Sequence, residues 1–185
     1  MRRIAPMAFD LDGVLLDVRP CIQKHLYDLY GPDGLILDNQ KFRIETRGNH
    51  TKNKIWKAIN SMYCDLDGVE PGTGAAAAVN FLYAKYAKPI RVVTARPERC
   101  RLETTMALDR YFPGVEFALV MAPGPDKHRH LENVDSFVED RRRNAVEIAG
   151  RGTRVFLIDR IYNRMDPDPK NVIRVKDCYE LLKYI

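Results

Sequence analysis

Ile4-Ala5-Pro6-Met7-Ala8-Phe9-Asp10-Leu11-Asp12-Gly13-Val14 is a short apolar run that ends on a carboxylate, with a second carboxylate two residues on and then a glycine. An apolar run of this length, bounded by charge and glycine, reads as a buried strand. A carboxylate at the C-terminal edge of a parallel strand faces the crevice where open α/β sheets bind ligands. The pentapeptide recurs at Asp65-Leu66-Asp67-Gly68-Val69, but there it follows Asn53 to Tyr63, where apolar residues recur at helical spacing. Asp65 and Asp67 therefore read as loop and cap residues, and the reactive pair is expected at Asp10 and Asp12.

At 185 residues, 45% hydrophobic and 30% charged, the chain suits one domain with room for an insertion. No apolar run is long enough to span a membrane, and the N-terminus lacks the apolar stretch of a secretion signal, so cytoplasm is the expected compartment. Cys21, Cys64, Cys100 and Cys178 are scattered and form no CxxC pair, so they are expected to be ordinary thiols rather than a zinc site or disulfide framework. A formal charge of +5 and a pI near 9.0 favour anionic partners. The densest basic run, Arg141-Arg142-Arg143, has no aromatic stacking pattern beside it and reads as a solvated helix face.

Further apolar runs recur at Ile90 to Val93, Val115 to Val120, Ser136 to Val138, Val155 to Ile158 and Val172 to Val175. Helical patterns lie between them at Ala75 to Tyr86, Glu98 to Tyr111 and Arg143 to Ala149, and another follows at Cys178 to Tyr184. Such alternation implies an α/β fold, a parallel sheet covered by helices on both faces. The stretch from about Val18 to Val69 breaks the alternation, with helical segments near Cys21 to Tyr30 and Lys52 to Tyr63 joined by an irregular polar passage. It reads as an insertion folded over the C-terminal edge of the sheet, where it would cover a reaction site.

The chemistry follows from what stands at the strand ends. Asp10 and Asp12 fall on one side of an extended chain, so one can attack while the other moves protons. Attack on phosphorus needs the phosphate charge neutralised, and a hard cation such as Mg²⁺ would take Asp10, the backbone carbonyl of Asp12 and a further acid as ligands. Phe137-Val138-Glu139-Asp140 is another apolar run ending in carboxylates, making Asp140 the first choice and Glu139 the second for that acid. Val92-Val93-Thr94-Ala95-Arg96 ends a strand with a hydroxyl, and the N–H groups that follow could bind anionic oxygens. Lys127 supplies a mobile cation.

The order Asp-x-Asp, Thr, Lys, acidic pair resembles the haloacid dehalogenase-like phosphatase superfamily, from Phe9 to about Arg164. The resemblance implies a Rossmann-like three-layer parallel sheet formed by residues 1–17 and 70–185, with the Asp10 strand central and flanked by the strands ending at Thr94 and Asp140. A small, mainly helical cap would occupy 18–69. By that likeness Asp10 forms an aspartyl-phosphate, Asp12 is the general acid and base, and Thr94 and Lys127 hold the phosphoryl group. Asp140 completes the Mg²⁺ site together with Asp10 and Asp12, and Glu139 either ligates the ion or stands beside it. Many relatives have two aspartates where this chain has Glu139-Asp140.

Narrower likenesses concern substrate. Thr94-Ala95-Arg96-Pro97, Glu139-Asp140-Arg141 with Asn144, and Phe156-Leu157-Ile158-Asp159-Arg160 with Tyr162-Asn163-Arg164 resemble the 5′-nucleotidase and deoxyribonucleotidase branch. The first of these is also similar to polynucleotide 3′-phosphatases. The expected substrate is a nucleoside monophosphate, with an oligonucleotide 3′-phosphate or a small sugar phosphate as alternatives. Ala95 and Arg96 are candidate phosphate contacts, although Arg96 could instead pair with a carboxylate. Arg47, His50 and Trp56 are candidate base or sugar contacts within the insertion. A dehalogenase would need neither Asp12 nor a metal, and a non-catalytic binding module would be expected to have lost Asp10, Asp12 or Asp140.

Overall fold

A computed structural model describes residues 5–30, 36–38, 43–45, 60, 63–64, 69–164 and 167–185. Its strands are β1 (Met7–Phe9), β2 (Leu16–Asp17), β3 (Ile36–Asp38), β4 (Arg43–Glu45), β5 (Glu70–Pro71), β6 (Ile90–Thr94), β7 (Phe117–Met121), β8 (Ser136–Glu139), β9 (Arg154–Ile158) and β10 (Val172–Val175). Six of them form one sheet in the order β10-β9-β8-β1-β6-β7, and every pair in it is parallel. The fold is a Rossmann-like parallel sheet with helices on its faces, and β1 is central between β8 and β6.

Period-two alternation assigns side chains to the two faces. Met7 and Phe9 pack into one apolar cluster with Val79, Leu82, Leu108, Phe112 and Leu181, from the helices Ala75–Tyr86, Arg101–Tyr111 and Cys178–Leu181 and the residue after the second. Ala8 packs into the other, with Phe137, Val155, Leu157, Ala145 and Ile148, against the helix Arg142–Gly150. A strand buried on both faces has no polar alternation, which is why these strands read as continuous apolar runs.

The register then sets the site. Phe9 pairs with Val92 on one side and Val138 on the other, so Asp10 emerges level with the ends of β6 and β8, where Thr94 and Glu139-Asp140 stand. The Asp10 backbone N–H donates to Val138 O at 2.8 Å, keeping the carboxylate residue in register for one step beyond the strand. Beyond β2 the chain runs into the helix Arg19–Tyr30, and it returns through β5, which pairs antiparallel with β2, Leu16 opposite Pro71 and Asp17 opposite Glu70. The passage expected to be irregular contains the antiparallel pair β3 and β4; strands of three residues are too short for alternation to stand out. Arg47, His50, Trp56, Asp65 and Asp67, and most of the helix expected near Lys52 to Tyr63, lie outside the described residues. No helix among the described residues is long and apolar enough to cross a membrane.

Candidate active site

Three carboxylates and one ammonium are buried together at the C-terminal edge of the central strands. Asp10, Glu139, Asp140 and Lys127 are each at most 4% exposed, and the three acids each place an oxygen within 4.8 Å of the others. Lys127 lies in the 3₁₀ turn Gly124–His130, which brings its Nζ to 2.5 Å from Asp10 Oδ2 and 3.2 Å from Glu139 Oε2. A brief turn therefore suffices to span from β7 to the carboxylates. Burial works against the lysine's charge, but Asp10 and Glu139 outweigh it and raise its pKa above the usual lysine value.

Glu139 and Asp140 divide cleanly by their partners. Glu139 Oε1 accepts the backbone N–H groups of Asp140 and Arg141, at 3.1 and 3.0 Å, and Oε2 accepts from Lys127 and from Asn144 Nδ2 at 3.1 Å. Burial alone would raise its pKa, yet Lys127 and these bonds bring it down to about 2. Asp140 Oδ2 accepts from the Tyr162 hydroxyl, while Oδ1 is buried with no hydrogen-bond partner among the described residues. Burial and the neighbouring Glu139 push Asp140 up to about 7. Asp10 is pulled both ways. Burial, Glu139 and Asp140 raise it well above the usual aspartate value while Lys127 opposes them, and burial with like charge prevails. Three buried acids outnumber Lys127 and the neighbouring Arg141, and an oxygen-seeking divalent cation would supply the missing positive charge. The orphaned Asp140 Oδ1 and the tight trio of carboxylates fit such an ion.

A tight turn over Leu11 to Leu16 frames this cluster. Gly13 N donates to Leu16 O at 2.7 Å and Leu16 N donates to Leu11 O at 2.8 Å. Gly13 has φ +83°, and a Cβ there would meet Asp140 Oδ2 at 2.2 Å. Only glycine serves, because the backbone is left-handed and the carboxylate occupies the space of a side chain. Arg160 Nη2 donates to Gly13 O at 3.0 Å, and Asn163 Nδ2 donates to both Asp140 O and Ile158 O. Arg160, Tyr162 and Asn163 thus brace the cluster from the loop after β9. Their motif stood out in the sequence, but nothing in it pointed to this role.

Thr94 is fully buried at the end of β6, with its hydroxyl 3.3 Å from the Arg96 N–H. Ala95 is exposed beside it. The choice left open for Arg96 resolves toward a carboxylate. Its Nε lies 3.1 Å from both oxygens of Asp12 and its Nη2 2.6 Å from Oδ1. The guanidinium is shut in further by Tyr63, whose ring centroid is 5.4 Å away and whose carbonyl accepts from Nη1. Arg96 is therefore a buried partner of Asp12, and the Asp12 side chain points to that arginine instead of joining the carboxylate trio.

Two expectations need correcting. The run Arg141 to Arg143 is not one solvated face: Arg141 is drawn into the field of Asp140, Tyr63 and Asp10, and Arg142 donates to Pro167 O at 2.8 Å. Only Arg143 is exposed. The cysteines are not all thiols either, because Cys64 and Cys100 form a disulfide, while Cys21 and Cys178 are free and buried. The bond spans 36 residues, and only the fold brings its ends together.

No protein-family model matches the chain, and no curated protein matches it in sequence. Solved structures do match over nearly full length. A haloacid dehalogenase-like family hydrolase from Streptococcus pneumoniae superposes with a TM-score of 0.64 at 16% identity, covering 100% of this chain and 99% of that one. A predicted phosphoglycolate phosphatase from Haemophilus somnus 129pt gives 0.62 at 16%, with the same coverage. CbbY from Rhodobacter sphaeroides, in complex with phosphate, gives 0.63 at 15%, covering 98% and 96%, and its D10N mutant in complex with xylulose-(1,5)bisphosphate matches equally well. At such identities the likeness is one of fold: the chain has the fold of the haloacid dehalogenase-like hydrolases.

Proposed function

We propose that this protein is a Mg²⁺-dependent phosphomonoester hydrolase working through an aspartyl-phosphate on Asp10. The observation that carries the reading is the buried group of Asp10, Lys127, Glu139 and Asp140 at the central strand ends, with Asp140 Oδ1 left unpartnered. Asp10 and Asp140 would hold the ion, with the backbone carbonyl of Asp12 as the third protein ligand. Glu139 has both oxygens engaged and would act by holding Lys127 in place. When bound, Mg²⁺ supplies charge neutralisation and alignment of the phosphoryl oxygens. Asp10 attacks phosphorus and the ester oxygen departs with a proton from Asp12. Asp12 then takes a proton from the water that attacks the phosphorylated Asp10, releasing phosphate and restoring the carboxylate. Thr94 and Lys127 would bind the transferring oxygens.

For substrate we favour a small phosphorylated sugar. CbbY, with the same fold, was crystallised with phosphate and with a sugar bisphosphate. The nucleotide reading rested on the motifs around Arg96 and Tyr162-Asn163, and those side chains engage Asp12 and Asp140 within the protein. Residues 18–69, entered and left through the paired β2 and β5, would select the substrate. The test is phosphate release from sugar phosphates, nucleoside 5′- and 3′-monophosphates and 3′-phosphorylated oligonucleotides, with Mg²⁺ and with EDTA. Sugar phosphates are expected to turn over fastest, and EDTA to stop all release. A clear preference for nucleotides or oligonucleotide ends would replace the sugar reading, and no release from any ester would overturn the phosphatase.

Stability should report the same cluster. Asp10 and Asp140 have raised pKa values in the folded protein, so their contribution is fully present below the unfolded value near 3.8 and is lost as pH rises, for Asp140 through about 7. Glu139 runs the other way, its contribution being lost as pH falls from about 4.5 toward about 2. In EDTA the melting temperature is therefore expected to drop by several degrees between pH 5 and pH 8. Mg²⁺ should restore it more at pH 8 than at pH 5, since ligation needs deprotonated carboxylates. A melting temperature in EDTA that rises steadily from pH 5 to 8 would contradict the arrangement.

A further inference from the structure

Residues returning from the insertion meet the turn after β6 at several points, and one of them is covalent. Arg99 Nη2 donates to Asn60 O at 3.1 Å, Arg96 Nη1 donates to Tyr63 O at 3.5 Å, the Arg96 guanidinium stands over the Tyr63 ring, and Cys64 is bonded to Cys100. The other end of the bond is tied to the same arginine. The Thr104 hydroxyl donates to Cys100 O at 2.7 Å and lies 3.4 Å from Arg96 Nη1. Both cysteines thus sit one short step from Arg96, whose remaining nitrogens grip Asp12.

We propose that the Cys64–Cys100 disulfide is a reversible latch on the acid–base residue. Closed, it pins Tyr63 on Arg96 and fixes the orientation of Asp12; opened, it frees Tyr63 and loosens the Arg96–Asp12 pair. Two features favour a latch over a permanent staple. Cys64 is only partly buried while Cys100 is fully buried, so the Cys64 end is the one nearer solvent, and it is the more exposed disulfides that are labile. The bond also ends beside the site instead of bracing the apolar core. A thiolate of a small dithiol attacks Cys64 Sγ and Cys100 departs as a thiolate that takes up a proton. The second thiol of the reagent then displaces Cys64, so the dithiol is oxidised to a cyclic disulfide and the protein disulfide is reduced to two thiols. A disulfide in the oxidant direction, such as oxidised glutathione, closes it again.

The functional consequence rests on the reading of Asp12 as general acid, and leaving-group dependence isolates it. With p-nitrophenyl phosphate the leaving group needs little protonation, whereas an alkyl phosphate such as glycerol phosphate does. Because Asp12 also serves the hydrolysis of the aspartyl-phosphate, which both esters share, the comparison is made in kcat/KM, which ends with departure of the alcohol. Dithiothreitol is expected to lower it by about tenfold for glycerol phosphate, a part of what general acid catalysis contributes, and by less than about twofold for p-nitrophenyl phosphate. Cys64→Ser should match the reduced protein and ignore dithiothreitol. Hydrogen exchange gives a readout independent of hydrolysis. The Arg96 and Cys100 amides, bonded to Thr94 Oγ1 and Pro97 O, should lose protection on reduction of the unaltered protein and not on treatment of Cys64→Ser. Equal kcat/KM ratios and unchanged exchange in both redox states would overturn the latch, as would a surviving redox response in Cys64→Ser. If neither ester is hydrolysed in any state, the phosphatase reading fails, and exchange alone decides whether the latch exists.

Discussion

Asp10→Asn is expected to lower kcat for phosphate release by about 10⁴-fold or more, the scale of losing a nucleophile, while the protein stays folded. The amide keeps the volume of the carboxylate, and its one oxygen can still accept the Leu11 N–H that now lies 2.7 Å from Oδ1, while Lys127 gives up its contact with Oδ2 and keeps Glu139 as its carboxylate partner. The amide cannot attack phosphorus. It also removes one of three like charges from a fully buried cluster, so the melting temperature in EDTA at pH 8 should hold or rise. Wild-type protein incubated with a ³²P-labelled ester should carry label that hydroxylamine removes, as an acyl phosphate requires, and Asp10→Asn should carry none. A variant retaining more than about one hundredth of wild-type turnover would show that water, not Asp10, attacks phosphorus.

That expectation begins in the short stretch from Ile4 to Val14, because a strand's end can be read locally. Apolar runs closed by charge or glycine marked β1, β6, β8, β9 and β10, and the carboxylates of Asp10 and Asp140, Thr94 and Lys127 could be placed near one sheet edge from order alone. What could not be read locally is which side chain each charge would face. Arg96 and Asp12 are 84 residues apart and pair because β1 and β6 are neighbours. Cys64 and Cys100 meet because the return limb of the insertion crosses the turn after β6, and no spacing rule encodes that crossing. Arg141 belongs to a basic run that suggests a solvated face, yet the position after Asp140 puts it in the field of the carboxylates. The sequence makes Asp140 the first choice of ligand and Glu139 the second, and leaves their roles undivided. Only the partners separate them, since Glu139 spends both oxygens on Lys127, Asn144 and two backbone N–H groups, while Asp140 keeps one oxygen free of any described partner.

Lys127→Met should be the most destabilising single change at the site. Methionine preserves much of the side-chain volume but removes the cation from Asp10, at 2.5 Å, and Glu139, at 3.2 Å. A buried charge pair is weak evidence for net stability when both partners are considered, yet stripping one partner leaves the other uncompensated, at a cost of about 3–5 kcal/mol. Here two carboxylates lose their counter-charge at once, and Glu139 loses the main influence that holds its pKa at about 2 against the pull of burial. With the lysine gone, burial raises Glu139 as it already raises Asp10 and Asp140. The variant should then bind more protons when folded than when unfolded across the range where the wild type does so least. Its deficit in urea unfolding, measured in EDTA, is therefore expected to be largest near pH 8 and to narrow steadily toward pH 5 as the carboxylates take up protons. Mg²⁺ should recover part of the stability at pH 8 without restoring phosphate release, since an ion can replace the lysine's charge but not its contact with the transferring phosphoryl group. A deficit below about 1 kcal/mol, or one that does not vary between pH 5 and pH 8, would mean that Lys127 is not the counter-charge of this cluster.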